Sequence, residues 1–248
     1  MSINLKKLRI SPSDINSFFF CPRRWYLSII LGIPEMPVPQ PERELGILVH
    51  NNIAEYYTKI SEKPTPEEIQ KVATDVFAKN YIPIPGADPK KYEQIMHNFI
   101  SFEIKRLKTW KRYKPLLVEQ RLEAPPFIGV VDAFFDVDKV VVDWKTGNYS
   151  VMNNDLMRQG AIYKILLEAH GYKVEKVIFV FLYRNKILEM PETTIGFVLK
   201  DIEQMVEMIK NGRFPGRNDK FCNKCPFQLA CRFSDIHLME GLFEEVML

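Results

Sequence analysis

The chain has 248 residues and a mass of 29.1 kDa, room for one large domain or a domain with an appendage. A hydrophobic content of 46 %, a charged content of 26 % and a net charge of +3 exclude a disordered or fibrous chain, and the mild basicity permits nucleic-acid binding without arguing for it. No stretch approaches about 18 uninterrupted apolar residues, so no membrane span is expected. The N-terminus MSINLKKLRISPSD has neither the apolar core nor the cleavage site of a secretion signal, so a cytoplasmic location is expected.

In chain order, Ser11-Pro-Ser-Asp14 opens a helix predicted to run on through INSFFFCPRRWYL, with a serine or aspartate as cap. Residues 34–41 (PEMPVPQP) read as an extended connector. A second helix is predicted over residues 42–60, a third from Thr65-Pro-Glu-Glu68 to about Asn80, and a fourth over 89–113. A strand follows at 116–123, then a hairpin of 127–135 (FIGVVDAFF) and 140–146 (VVVDWKT) around the polar stretch 136–139. Residues 153–170 are predicted helical, 174–183 a strand, 186–190 its short partner, and 195–211 an amphipathic helix. Helices flanking a mixed sheet make the fold class α/β (α+β).

The hairpin carries the chemistry. With a two- or four-residue loop, residues whose numbers sum to 275 face one another, which sets Asp132 opposite Asp143; a three-residue loop would break the pairing. Directly opposed side chains have Cβ atoms about 4.5–5.5 Å apart, near enough for both carboxylates to hold one cation. Lys145 projects from the same face and Trp144 from the other. Two such close carboxylates repel, and burial makes that costlier, so an apolar strand pair does not carry them idly. A hard divalent cation removes the repulsion, and the lysine can orient water or offset transition-state charge. The plain alternative is a surface Asp–Lys network worth about 0–1 kcal/mol.

Gln159 and Tyr163, spaced i and i+4, share one face of the following helix. That face could lie over the lysine; spacing alone fits a core tyrosine beside a solvated glutamine better. Gly46 precedes His50 by one turn at a cost of about 1 kcal/mol relative to alanine, which points to room being made for something, and an imidazole beside a metal is one reason. Cys21 stands apart from Cys222-x2-Cys225-x5-Cys231. In a cytosolic protein this is a metal or cluster pattern, and four thiolates suit either Zn²⁺ or an iron–sulfur centre. A centre held by all four would tie the N-terminal helix to the C-terminal segment.

Together, Gly46-x3-His50, Gly129-x2-Asp132, Asp143-x-Lys145, Gln159-x3-Tyr163 and the one-plus-three cysteines resemble the RecB-like branch of the PD-(D/E)xK nucleases. Within it they are similar to the four-cysteine iron–sulfur exonucleases of CRISPR adaptation. The resemblance implies that His50, Asp132, Asp143 and the Trp144 carbonyl hold Mg²⁺ or Mn²⁺, and that Lys145 positions the attacking water. It implies that Gln159 and Tyr163 contact DNA or support the lysine, and that Cys21, Cys222, Cys225 and Cys231 ligate a [4Fe–4S] cluster. The expected activity is exonucleolytic resection of single-stranded DNA, often from the 5′ end, to trim prospective spacers alongside the CRISPR integrase; homo-oligomers are conceivable and no membrane partner is expected. Residues 1–248 then form one nuclease domain, with a helical wall at 42–113, a catalytic core at 116–211 and cluster segments at 21 and 212–233. Lys105, Arg106, Lys108, Lys111 and Arg112 are available on the wall for phosphates, or else form a solvated charged face. Glu119 is expected to support the ligands from outside. The competing readings are a non-catalytic DNA-binding module docking the integrase, a redox sensor built on the cluster, and a DNA-repair or viral nuclease of the same superfamily.

Overall fold

The computed structural model describes residues 9–37 and 39–231. Residues 1–8, read above for a secretion signal, Val38 of the proline-rich connector, and 232–233 of the expected cluster segment lie outside them. The backbone divides into two compact units: Gln40–Ile195, and the chain up to Pro39 together with that from Gly196.

The unit Gln40–Ile195 is built on a five-stranded sheet in the order β1 (Leu117–Ala124), β2 (Phe127–Phe135), β3 (Val140–Lys145), β4 (Lys176–Phe181), β5 (Lys186–Glu189). Neighbours are antiparallel except β3 and β4, which run parallel because the helix α6 (Asn154–Ala169) carries the chain back between them. This mixed sheet flanked by helices is the α/β architecture that the periodicities predict. The β2–β3 pairs Ala133–Val142, Phe134–Val141 and Phe135–Val140 all sum to 275, so the hairpin has the register required to oppose Asp132 and Asp143.

Alternation along the strands gives each face its partner. Ala133, Phe135, Val140, Val142 and Trp144 join one apolar core with α3 (Pro41–Lys59), α4 (Pro66–Lys79) and α5 (Pro89–Leu107). Trp144 meets Phe99 and Phe102 edge-on, so it does point away from the two acids. The odd-out residues Asp132, Phe134, Val141 and Asp143 face the side on which α6 packs. That packing is close: a Cβ at Gly160 would lie 2.7 Å from Met190 Sδ and 3.1 Å from Phe179 Cζ, and one at Gly129 3.0 Å from Leu166 Cδ1. A side chain at 160 or 129 would press on side chains across the helix–sheet contact. The α6 N-terminus is capped by Asn153, which accepts from Leu156 N–H.

The predicted fourth helix overruns. α5 stops at Leu107, and the chain turns back so that the Arg106 guanidinium donates to the Tyr113 carbonyl at 2.6 Å. Arg106 is therefore not available to a phosphate: it is buried, paired with Glu103 at 2.6 Å, and stacked among Tyr113, Phe135, Trp110 and Tyr57. Arg112 pairs with Asp136, while Lys105, Lys108 and Lys111 are exposed.

In the other unit the predicted first helix is broken. α1 (Pro12–Phe20) carries a capping box between Ser11 and Asp14, and ends at Cys21, whose extended backbone precedes Pro22. The short α2 (Pro22–Trp25) passes into a π-turn at Tyr26–Ile30. α7 (Thr194–Lys210) buries Val198, Ile202, Met205 and Ile209 at helical spacing. Beyond it the chain returns to the N-terminal helices: Arg23 N–H donates to Pro215 O, Met36 N–H to Pro226 O, and the Arg217 guanidinium to Phe20 O. Phe214 stacks on Tyr26.

Candidate metal-dependent active site

Strand β3 delivers three consecutive groups. Asp143 is completely buried on the α6 face, the Trp144 carbonyl lies in the strand plane, and Lys145 is half-buried beyond. Lys145 Nζ forms an ion pair 2.7 Å from Asp143 Oδ2, off the direction of a hydrogen bond, so among the described residues neither Asp143 oxygen has a hydrogen-bond donor. The ammonium donates instead to Gln159 Oε1 at 2.7 Å, and Gln159 Nε2 donates to Tyr163 Oη at 2.8 Å. The i, i+4 pair on α6 thus runs in a line toward the lysine, with Tyr163 buried. Burial, then the charges of Asp132 and Asp143, pushes the Tyr163 phenol well above its ordinary pKa, so it stays protonated as a donor.

From β2, Asp132 presents a carboxylate that accepts the Trp144 N–H at 2.8 Å through Oδ2. Burial, then the nearby charge of Asp143, raises its pKa. From α3, His50 reaches across: its Nδ1 is 2.8 Å from Glu119 Oε1 and 3.6 Å from Asp132 Oδ2, and its Nε2 is 3.0 Å from the Trp144 carbonyl. A carboxylate and a carbonyl both accept, so His50 makes both bonds only as an imidazolium. Burial opposes that charge, but the Glu119 hydrogen bond and the charges of Asp132, Glu119 and Asp143 outweigh it and raise the pKa to about 9.

The donor set fits a hard divalent cation. Ligand atoms of His50, Glu119 and Asp132 lie within 4.8 Å of one another, a group that does not take in Asp143. The 3.0 Å from His50 Nε2 to the Trp144 carbonyl is also what two adjacent ligands of an octahedral ion span at about 2.1 Å each. The Asp143 carboxylate, buried without a donor, is the kind of group that needs a cation. A cleft of about 470 Å³ opens here, lined by His50, Glu119, Trp144 and Lys145 and by Arg43, Asn51 and Thr146.

Glu119, expected as a support from outside, touches His50 directly at 2.8 Å, and its backbone φ of 44° lies in the left-handed region. Arg43 and Asn51 were missed, although residues 43, 46, 47, 50 and 51 fall on one helical face. Gly46 makes little room, since a Cβ there would meet only Thr146 Oγ1 at an ordinary 3.4 Å.

The four cysteines meet in the other unit. Cys21, Cys222, Cys225 and Cys231 line a single pocket with Arg24, Leu27, Arg217 and Gln228. Cys21 Sγ accepts the Arg24 N–H at the start of α2, and Cys222 Sγ donates to the Arg217 carbonyl. Burial raises the Cys225 pKa.

A comparison with curated proteins gives no match. The family model described as PD-(D/E)XK nuclease superfamily matches residues 9–232, which takes in every group just described. With that match, a five-stranded mixed sheet and a carboxylate–lysine site on its β2–β3 hairpin, the chain belongs to the PD-(D/E)XK nuclease superfamily, whose members are metal-dependent nucleases.

Proposed function

We propose that the protein is a divalent-metal-dependent deoxyribonuclease, an exonuclease on single-stranded DNA from the 5′ end, that carries a [4Fe–4S] cluster and trims prospective spacers beside a CRISPR integrase. The observation that carries metal-dependent cleavage is Asp143, a fully buried carboxylate with no hydrogen-bond donor, beside Asp132, His50 and Lys145. His50, Asp132, Asp143 and the Trp144 carbonyl would hold the ion, Mn²⁺ or Mg²⁺. A cation held there supplies phosphate polarisation and a more acidic water. Lys145 orients that water and offsets phosphate charge, because Gln159 and Tyr163 hold its ammonium at one point rather than leaving it to sweep the cleft. Arg43 and Asn51 at the cleft wall are placed to take phosphate oxygens.

The cluster, the preference for single strands and the CRISPR setting rest on the one-plus-three cysteine pattern. Its convergence on one pocket supports a shared centre.

The test is cleavage of 5′- and 3′-labelled single-stranded DNA by anaerobically purified protein with Mn²⁺, beside Lys145→Ala. The expected result is a product ladder from the 5′ end in the wild type, lost by about 100-fold or more in the variant while both still bind the strand. Binding without cleavage by the wild type would instead favour the assembly module.

A further inference from the structure

Resting on the metal-nuclease reading, we infer that Glu119 is a positioning residue: it holds the Nδ1–H of His50 and so turns Nε2 toward the cation beside the Trp144 carbonyl. The alternative, that Glu119 is itself a ligand, follows from proximity alone, since its carboxylate and His50 lie close to Asp132.

The geometry decides between them through the imidazole. Nδ1 faces Glu119 Oε1 at 2.8 Å, a charged acceptor, with Asp132 Oδ2 farther off at 3.6 Å, and Nε2 faces the Trp144 carbonyl at 3.0 Å, a neutral one. The hydrogen bond to the carboxylate is the stronger of the two. With Nδ1 engaged by Glu119, Nε2 is the ring nitrogen that faces the carbonyl and is open to a cation there. A metal-binding histidine regularly has its other ring nitrogen held by a carboxylate in this way, which fixes both tautomer and ring orientation.

The backbone shows that this contact is built. β1 pairs with β2 in one register on both sides of Glu119, Val118 with Ala133 and Gln120 with Val131, and only position 119 takes a φ of 44°. That conformation is unfavourable for a residue with a Cβ and persists only where the surroundings impose it. Here it accompanies a hydrogen bond from an edge strand to a helix 69 residues away in sequence. With the side chain only 29 % exposed, the carboxylate is not a solvated surface acid.

The experiment measures Mn²⁺ binding by calorimetry to the full chain, wild type and the Glu119→Gln, Glu119→Ala and His50→Ala variants. In parallel, ¹⁵N shifts of histidine in Mg²⁺-loaded protein report the tautomer. Glu119→Ala is expected to weaken Mn²⁺ about 10–100-fold, and Glu119→Gln only a few-fold, because its amide oxygen still accepts from Nδ1–H. His50 in the wild type is expected to show a protonated Nδ1. Equal losses in Glu119→Gln and Glu119→Ala, or a protonated Nε2, would make Glu119 a ligand and overturn the inference. Wild-type affinity in Glu119→Ala would overturn it too, with the metal site intact. If the wild type binds no Mn²⁺, the metal-nuclease reading itself falls and takes this inference with it. Thermal melting of each variant separates lost positioning from lost folding.

Discussion

Glu103 and Arg106 on one side of the sheet, and Asp132 and Asp143 on the other, all carry charge into the interior of the same unit. Glu103 accepts from Arg106 Nε at 2.7 Å, from Nη2 at 2.6 Å and from the Tyr57 hydroxyl at 2.8 Å, while Arg106 also donates to a carbonyl and lies among four rings. Every strong partner is internal, so the pair is complete without a ligand. Asp132 and Asp143 are two adjacent acids that have, among the described residues, one hydrogen-bond donor, Trp144 N–H, and one ammonium, Lys145, 2.7 Å from Asp143. The difference teaches where the outside partner belongs. A buried ion pair that satisfies itself is architecture, whereas a buried pair of acids left short of donors is a site for something positive.

The largest test of that contrast is Asp143→Asn. Several kcal/mol of charge stabilisation should go with the cation, so cleavage of labelled DNA with Mn²⁺ falls by about 10³-fold or more. The metal-free variant should melt close to the wild-type temperature, because relief of the repulsion with Asp132 offsets the lost ion pair with Lys145. Arg106→Ala should behave differently. It strands Glu103 in the core and costs about 3–5 kcal/mol in chemical denaturation. If Asp143→Asn instead destabilised the metal-free protein as much as Arg106→Ala does, the distinction between the two pairs would collapse.

A smaller effect sharpens the comparison by showing that the site rests on packing as well as charge. A methyl at Gly160 meets Met190 Sδ at 2.7 Å and Phe179 and Val177 carbons at 3.1 and 3.2 Å. Gly160→Ala should cost about 1–3 kcal/mol in thermal or chemical unfolding. It should also slow cleavage, since Gln159 and Tyr163 ride on the helix that is pushed off the sheet. Wild-type stability in this variant would mean that α6 is free to shift and does not set the lysine.

Legibility in the sequence follows the range of the interactions. The β2–β3 hairpin could be read because both partners lie within a few residues and a period of two fixes their faces; the loop length then set the register. Gln159 and Tyr163 could be placed on one face because a helix repeats locally, though their chain to Lys145 needed the fold. The break at Cys21 was available in the proline after it, but the apolar run Phe18–Phe20 masked it. Arg106 misled because lysines and arginines cluster along that stretch, and only the return of the chain to Tyr113 buries one of them. Glu119 could be read only as a support, since its partner His50 lies on a helix far upstream and its backbone departs from ordinary strand geometry.

The smallest expected effect is a slope with pH. His50 in the metal-free protein holds its proton up to about pH 9, against an ordinary value of 6.5, and Asp132 is shifted upward as well. The folded protein therefore binds these protons more tightly than the unfolded chain does. The His50 contribution to stability is fully present below pH 6.5 and lost as pH rises through about 9. One proton gives at most about 1.4 kcal/mol per pH unit, or a few degrees in melting temperature for a chain of this size. Differential scanning fluorimetry in metal-free buffer should thus show Tm falling between these two pH values. Mn²⁺ should flatten or reverse that fall, because a cation replaces the protons and binds better as they leave. A Tm that rises over this range without metal would mean that Asp132 and His50 do not share protons in the folded state, and the site would then lack the electrostatic deficit on which its contrast with Glu103–Arg106 depends.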